Sequence, residues 1–185
     1  MKIYGLIVTM VFVSLAWGQS AKPKTTTKKE TVRPTAEPLG VYDERYDEFE
    51  KETFYSLTLD GKPPEDSTVP PKQLVSASSK AGQKAKAGEM LFMTVAKETW
   101  AYETCHAVKL LIDGNPVTVP TSIYDNTVND GIGVELVLVP LSTKVILKIA
   151  GATSVKWKVC STVWEWKPGN ITAFYDWAEK VGFFK

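Results

Sequence analysis

Apolar side chains recur mostly at every second position through the middle of the chain. Phe54, Ser56 and Thr58 alternate with Tyr55, Leu57 and Leu59, which predicts a strand over 54–59, and Asp60-Gly61 marks a turn after it. EDSTVPPK and KAGQKAKAG (80–88) read as exposed connections. Met90–Lys97 and His106–Ile112 are further apolar-rich runs. Asp113-Gly114-Asn115 then predicts a hairpin turn into Val117–Val119. TSIYDNTVNDGIG reads as a long polar loop. Val134–Val139 is almost continuously apolar, the pattern of a strand buried on both faces.

The rhythm then changes. In LSTKVILKIAGA, Ser142 can cap a helix whose apolar face is Val145, Ile146, Ile149 and Ala150, closed by Gly151. Its β-branched residues argue for a strand instead, and the helix is the preferred reading. Ser154–Val159 and Thr162–Trp166 return to strand alternation around a tight Cys160-Ser161 junction. ITAFYDWAEKVGFF closes the chain as a helix, with Ile171, Phe174, Tyr175, Ala178 and Val181 on one face and Trp177 at its edge. The expected class is α+β: a mostly antiparallel sheet with a short helix and a C-terminal helix on one side.

The N-terminal region follows neither rhythm. Lys2 precedes an apolar run from Leu6 to Leu15, followed by Ala16-Trp17-Gly18, as in a secretory signal peptide cleaved after Gly18. The run is shorter than the roughly 20 residues of a spanning helix. No second segment is apolar enough to span, so an integral membrane protein is not expected. Residues 19–40, rich in Lys, Thr and Pro, read as a disordered linker, and 41–185 as a single domain. Tyr42, Tyr46, Phe49 and Phe54 offer an aromatic stripe at the domain's start.

Charge is nearly balanced overall but uneven along the chain, at +3 over 19–40, −6 over 41–66 and +3 over 67–185. The folded part has no concentrated basic face, so nucleic acid is not an expected partner. The expected location is secreted or periplasmic. There the two cysteines, Cys105 and Cys160, most simply pair. Closing that loop constrains the unfolded chain by about 4 kcal/mol.

The phrases YDEFEKETFYSL, LLIDGNPVTV and ELVLVPLSTKVILKIAGATSVKWKV, followed by a closing helix, resemble exported bacterial domains of unassigned function. The resemblance touches much of 46–182. It implies an α+β fold and a bacterial origin, and it transfers no active site. The cysteine pair departs from that pattern.

Candidate chemistry is sparse. His106 is the only histidine, and strand neighbours point to opposite faces, which separates it from Cys105 as a nucleophilic pair. The chain lacks a G-x-S-x-G turn, paired zinc-ligand spacing and a Gly-rich phosphate loop. No cofactor is expected. Asp125, Asn126, Asn129 and Asp130 could offer oxygen ligands to calcium, although Asx-Gly clusters are foremost turn chemistry. Glu135 and Glu165 are notable because each interrupts an apolar strand.

The stretch VKWKVCSTVWEWKPGN (155–170) holds three tryptophans. Alternation places Trp157 with Val155 and Val159, and Trp164 with Trp166. That favours a hairpin with its tryptophans in the core and its lysines and Glu165 in water. Cys160 would then point away from the core unless the junction turns it. The function expected from these residues is a non-enzymatic binding module with an unidentified protein or glycan partner. The alternative is a polysaccharide-binding or glycan-processing surface built from Trp164, Trp166 and Glu165.

Overall fold

A computed structural model describes residues 32–59, 72–81, 83–85, 87–96, 100–129 and 132–184. The predicted signal peptide, most of the linker, the Asp60-Gly61 turn and Asp130 lie outside these residues. Ten strands and two helices form among the described residues, in the order β1 (Val41–Asp47), β2 (Glu52–Leu59), β3 (Lys72–Lys80), β4 (Ala87–Ala96), β5 (Val108–Ile112), β6 (Asn115–Val117), β7 (Ile123–Asn129), β8 (Ile132–Ser142), α1 (Thr143–Ala150), β9 (Val155–Val159), β10 (Thr162–Glu165) and α2 (Pro168–Val181). A six-stranded sheet runs β1-β2-β3-β4-β8-β7 and a four-stranded sheet runs β10-β9-β5-β6. Their strand pairs are all antiparallel. The α+β class is therefore established, with residues Thr31–Lys185 forming one compact unit.

The register explains the core. Leu57, Val75, Met90 and Val139 form one inward rung across β2, β3, β4 and β8. Leu59, Gln73, Phe92 and Val137 form the next. The four-stranded sheet lies over this face, where Phe92 meets Trp157 and Trp164 at ring-centroid distances of 5.5 and 5.1 Å. The helices cover the same face: Ile146 and Trp177 approach Gly88 so closely that an added Cβ would lie 3.3 Å from each.

Several elements match their expected bounds for identifiable reasons. Asp113 (φ 50°) and Gly114 (φ 76°) both take positive φ, as a two-residue hairpin turn requires. The Ser142 hydroxyl accepts the Val145 N–H at 3.4 Å, and Val145, Ile146, Ile149 and Ala150 are buried. The last helix is buried well beyond its expected face, since Gly169, Asn170, Thr172, Ala173 and Trp177 are also enclosed.

Other expectations need correcting. Residues 41–47 form a strand paired with β2, which breaks up the aromatic stripe. Tyr42 lies under Lys180 with Nζ 4.0 Å from its ring, Phe54 meets Arg45 on the outer face, and Phe49 is 96% exposed in the hairpin turn. TSIYDNTVNDGIG is mostly strand β7, because its pairing to β8 satisfies the backbone of a polar edge. Val134, Leu136 and Leu138 are only half-buried, so β8 has one sealed face rather than two. The chain from Arg33 to Gly40 is not free either. Arg33 pairs bidentately with Asp176 at 2.7 and 2.8 Å, and the Leu39 N–H donates to the Gly169 carbonyl at 2.8 Å.

Candidate functional site

The densest polar constellation surrounds Glu135. Alternation along β8 aims this side chain inward beside Val137 and Val139, and it is 0% exposed. The segment 100–107 crosses above it between the two sheets. Oε2 accepts the Ala101 N–H at 2.8 Å, and Oε1 accepts the Tyr102 N–H at 2.7 Å. The Tyr124 hydroxyl donates to Oε1 at 3.2 Å and accepts from Asn126 Nδ2 at 3.1 Å. A buried carboxylate is tolerated because charge-assisted bonds replace its water.

The same segment is tied down at other points. The Tyr102 ring is buried and its hydroxyl donates to Thr162 Oγ1 at 3.3 Å. Cys105 is disulfide-bonded to Cys160, and the Cys160 N–H donates to the Ala107 carbonyl at 3.0 Å. His106 stacks on Tyr124 at 5.6 Å between ring centroids, and the Ser122 hydroxyl donates to the His106 carbonyl. Cys160 has φ 55°, an uncommon left-handed conformation for a non-glycine residue. This twist at the hairpin junction releases Cys160 from strand alternation, so it reaches Cys105 without a bulge.

Burial raises both phenol pKa values above the ordinary 10.0, and the Glu135 charge adds to the rise. Thr162 opposes it for Tyr102 and Asn126 for Tyr124. Both phenols therefore stay protonated at neutral pH and serve as hydrogen-bond donors. Glu135 has both oxygens engaged. The constellation is a clamp that anchors 100–107 to the larger sheet.

The tryptophan surface is corrected by burial. Trp164 is 1% exposed and Trp166 4%, so neither ring offers a platform for a sugar. They lie inside because Trp157 pairs directly with Trp164 across the hairpin, and both meet Phe92. The Trp166 indole N–H donates to Gln73 Oε1 at 2.6 Å. The indole N–H groups of Trp157, Trp164 and Trp177 have no partner among the described residues, so packing alone holds those rings. Glu165 points the other way, to solvent, and pairs with Lys156 at 3.0 Å.

Of the calcium candidates, only the Asp125 and Asn126 side chains are among those described. Asp125 and Asn126 are strand neighbours on opposite faces, and Asp125 Oδ1 accepts the Asn126 backbone N–H at 2.8 Å. Asn129 ends the same strand. No group of three His, Cys, Asp or Glu side chains among the described residues could hold a metal.

The sequence reading missed Gln73, Tyr102, Tyr124 and Thr162. The alternation of Gln73 with Val75 and Ala77 was a usable signal, since it places an amide on an apolar face. Nothing local marks the other three, which meet Glu135 or each other only through the fold. No protein-family model, curated protein or solved structure matches the chain.

Proposed function

We propose that this chain is an exported, non-enzymatic interaction module that acts through its surfaces. One observation carries the reading. Glu135, one of the two acids that interrupt an apolar strand, is wholly buried with both oxygens accepting backbone N–H groups, and the other, Glu165, lies in solvent paired with Lys156. A general acid or base needs its oxygens free to reach a substrate, and these are committed to holding 100–107. The Cys105–Cys160 disulfide supports export, because such bonds persist in oxidising compartments. No helix among the described residues is long and apolar enough to cross a membrane.

Two measurements test this proposal. N-terminal sequencing of the chain from expressing cells should begin at Gln19, and a retained Met1 would reject cleavage at Gly18. Iodide should quench tryptophan fluorescence weakly, and a panel of polysaccharides should neither change that quenching nor be hydrolysed. A glycan that is cleaved would overturn the non-enzymatic reading, and strong quenching that a glycan suppresses would overturn the buried-tryptophan arrangement.

A further inference from the structure

Residues 33–40 lie across α2 before β1 begins. None of them is buried, and only Pro34 and Ala36, where the segment bends, are half-buried. The helix surface beneath is the reverse, with Gly169, Asn170 and Ala173 enclosed. Gly169 makes the close approach possible. A Cβ added there would overlap the Glu37 carbonyl and lie 2.6 Å from Leu39 Cγ.

Polar contacts hold the two ends of the segment. Arg33 grips the Asp176 carboxylate with two N–H groups at 2.7 and 2.8 Å. The Leu39 N–H donates to the Gly169 carbonyl at 2.8 Å, and Asn170 Nδ2 donates to the Leu39 carbonyl at 3.1 Å. The helix itself orients this amide, because Asn170 Oδ1 accepts the Lys167 N–H at 2.9 Å. The helix side is therefore enclosed and preorganised. The segment is short, exposed and stiffened by Pro34 and Pro38, so docking it orders little. It also has little apolar surface to lose by lifting, which lets it open without the rest of the fold. One chain thus holds both a receptor surface and a bound peptide.

We propose that this surface of α2 is a peptide-docking site, that residues 33–40 are its resident strap, and that a partner protein enters by displacing them. The partner's segment has the strap's chemistry: an arginine for Asp176 and, six residues on, an apolar residue whose backbone meets Gly169 and Asn170. The bidentate grip selects arginine over lysine. Glu179, a turn beyond Asp176, adds a second acid to the field at Arg33. The inference rests on the interaction-module reading and names the chemistry of the partner. Because the strap is tethered beside its site, it competes at an effective concentration of about millimolar, which keeps weak peptides out.

NMR titration of the intact, ¹⁵N-labelled chain with an unlabelled peptide of residues 32–40, VRPTAEPLG, tests the proposal. Arg33→Glu sets a like charge against Asp176 and should release the strap. The peptide should then half-saturate the shifts of Gly169, Asn170 and Asp176 at a concentration lower by about tenfold or more than in the unaltered chain. Asp176→Arg should invert the preference: that chain refuses the native peptide and binds one whose arginine is replaced by glutamate. Gly169→Ala suits a helix and should stay folded, yet its Cβ should exclude both peptides. A peptide that binds the Arg33→Glu chain no better than the unaltered one overturns the inference. So does a preference that Asp176→Arg leaves unchanged. Either failure leaves the export and non-enzymatic reading standing, since N-terminal sequencing and the polysaccharide panel test that separately.

Discussion

At the scale of single residues, Glu135 and Gln73 show how polar groups are kept inside this core. The Glu135 carboxylate is the acceptor for the backbone N–H groups of Ala101 and the buried Tyr102. Replacing it with glutamine keeps the shape but turns an acceptor into a donor facing one of those N–H groups. We expect Glu135→Gln to destabilise the fold by about 2–4 kcal/mol. Chemical denaturation reads the loss, and hydrogen exchange should accelerate at Ala101 and Tyr102. An unchanged midpoint with unchanged exchange would remove the clamp from the account. Gln73 gives a matched comparison. Trp166→Phe leaves Gln73 Oε1 buried without its donor, whereas Trp164→Phe removes an indole whose N–H has no partner. The Trp166 variant should be the less stable of the two by about 1–3 kcal/mol. The order reversed, or no difference, would mean that packing alone sets both values.

Tyrosine ionisation follows from the same environment. The pKa values of Tyr42, Tyr102 and Tyr124 are raised in the fold, with burial the first cause of each. In the unfolded chain they ionise near 10.0. Between that value and the higher folded ones, the unfolded state loses protons that the folded state keeps. Stability from these groups is therefore fully present below pH 10 and lost as pH rises beyond it. Urea midpoints should be insensitive to these tyrosines through neutral pH and fall at alkaline pH, less steeply in Tyr102→Phe. An alkaline slope identical in that variant would exclude Tyr102 as a contributor.

Elements were legible wherever local chemistry decided them. Asp113-Gly114 and the Ser142 cap act within a few residues, so their turn and helix could be placed from sequence. Ser142→Ala should cost about 1 kcal/mol, and Ser142→Asp should retain most of the stability, because aspartate also accepts at a helix N-cap. Equal losses in thermal unfolding would show that the cap contributes nothing. β1 and β7 were missed because both are edge strands with polar sequences. Their partners, Phe54 and Thr58 for one and Val134 and Leu138 for the other, are set by register rather than by pattern. α2 was placed correctly but its burial was not. Its Asn170 side chain donates to the Leu39 carbonyl at 3.1 Å and accepts the Lys167 N–H at 2.9 Å. Asn170-Ile171-Thr172 has the form of a glycosylation sequon, yet Asn170 is 2% exposed.

For the whole molecule, the segment 100–107 joins two sheets that hydrogen bonding alone keeps separate. Its two strongest holds come from opposite sides: Glu135 from the larger sheet and the Cys105–Cys160 bond from the smaller, with Tyr102–Thr162 and the contacts of His106 and Ala107 between them. The disulfide was legible from composition and compartment, whereas the clamp depended on strand pairing no short stretch encodes. Losing the disulfide alone, by Cys105→Ser with Cys160→Ser, should cost about 2–4 kcal/mol, because the unfolded chain gains freedom. Glu135 still holds the segment in that variant. Combining the cysteine changes with Glu135→Gln should cost less than the sum of the two. With both anchors gone, only the buried Tyr102 ring, its bond to Thr162 and the contacts of His106 and Ala107 still hold the segment, so it opens locally at less cost, and water then satisfies Ala101 and Tyr102 without global unfolding. The total loss is thus capped by the free energy of docking this one segment. Denaturation of the four proteins in a double-mutant cycle measures the coupling directly. Strict additivity would mean that the two anchors act on separate parts of the fold, and the picture of one doubly held segment between two sheets would have to be abandoned.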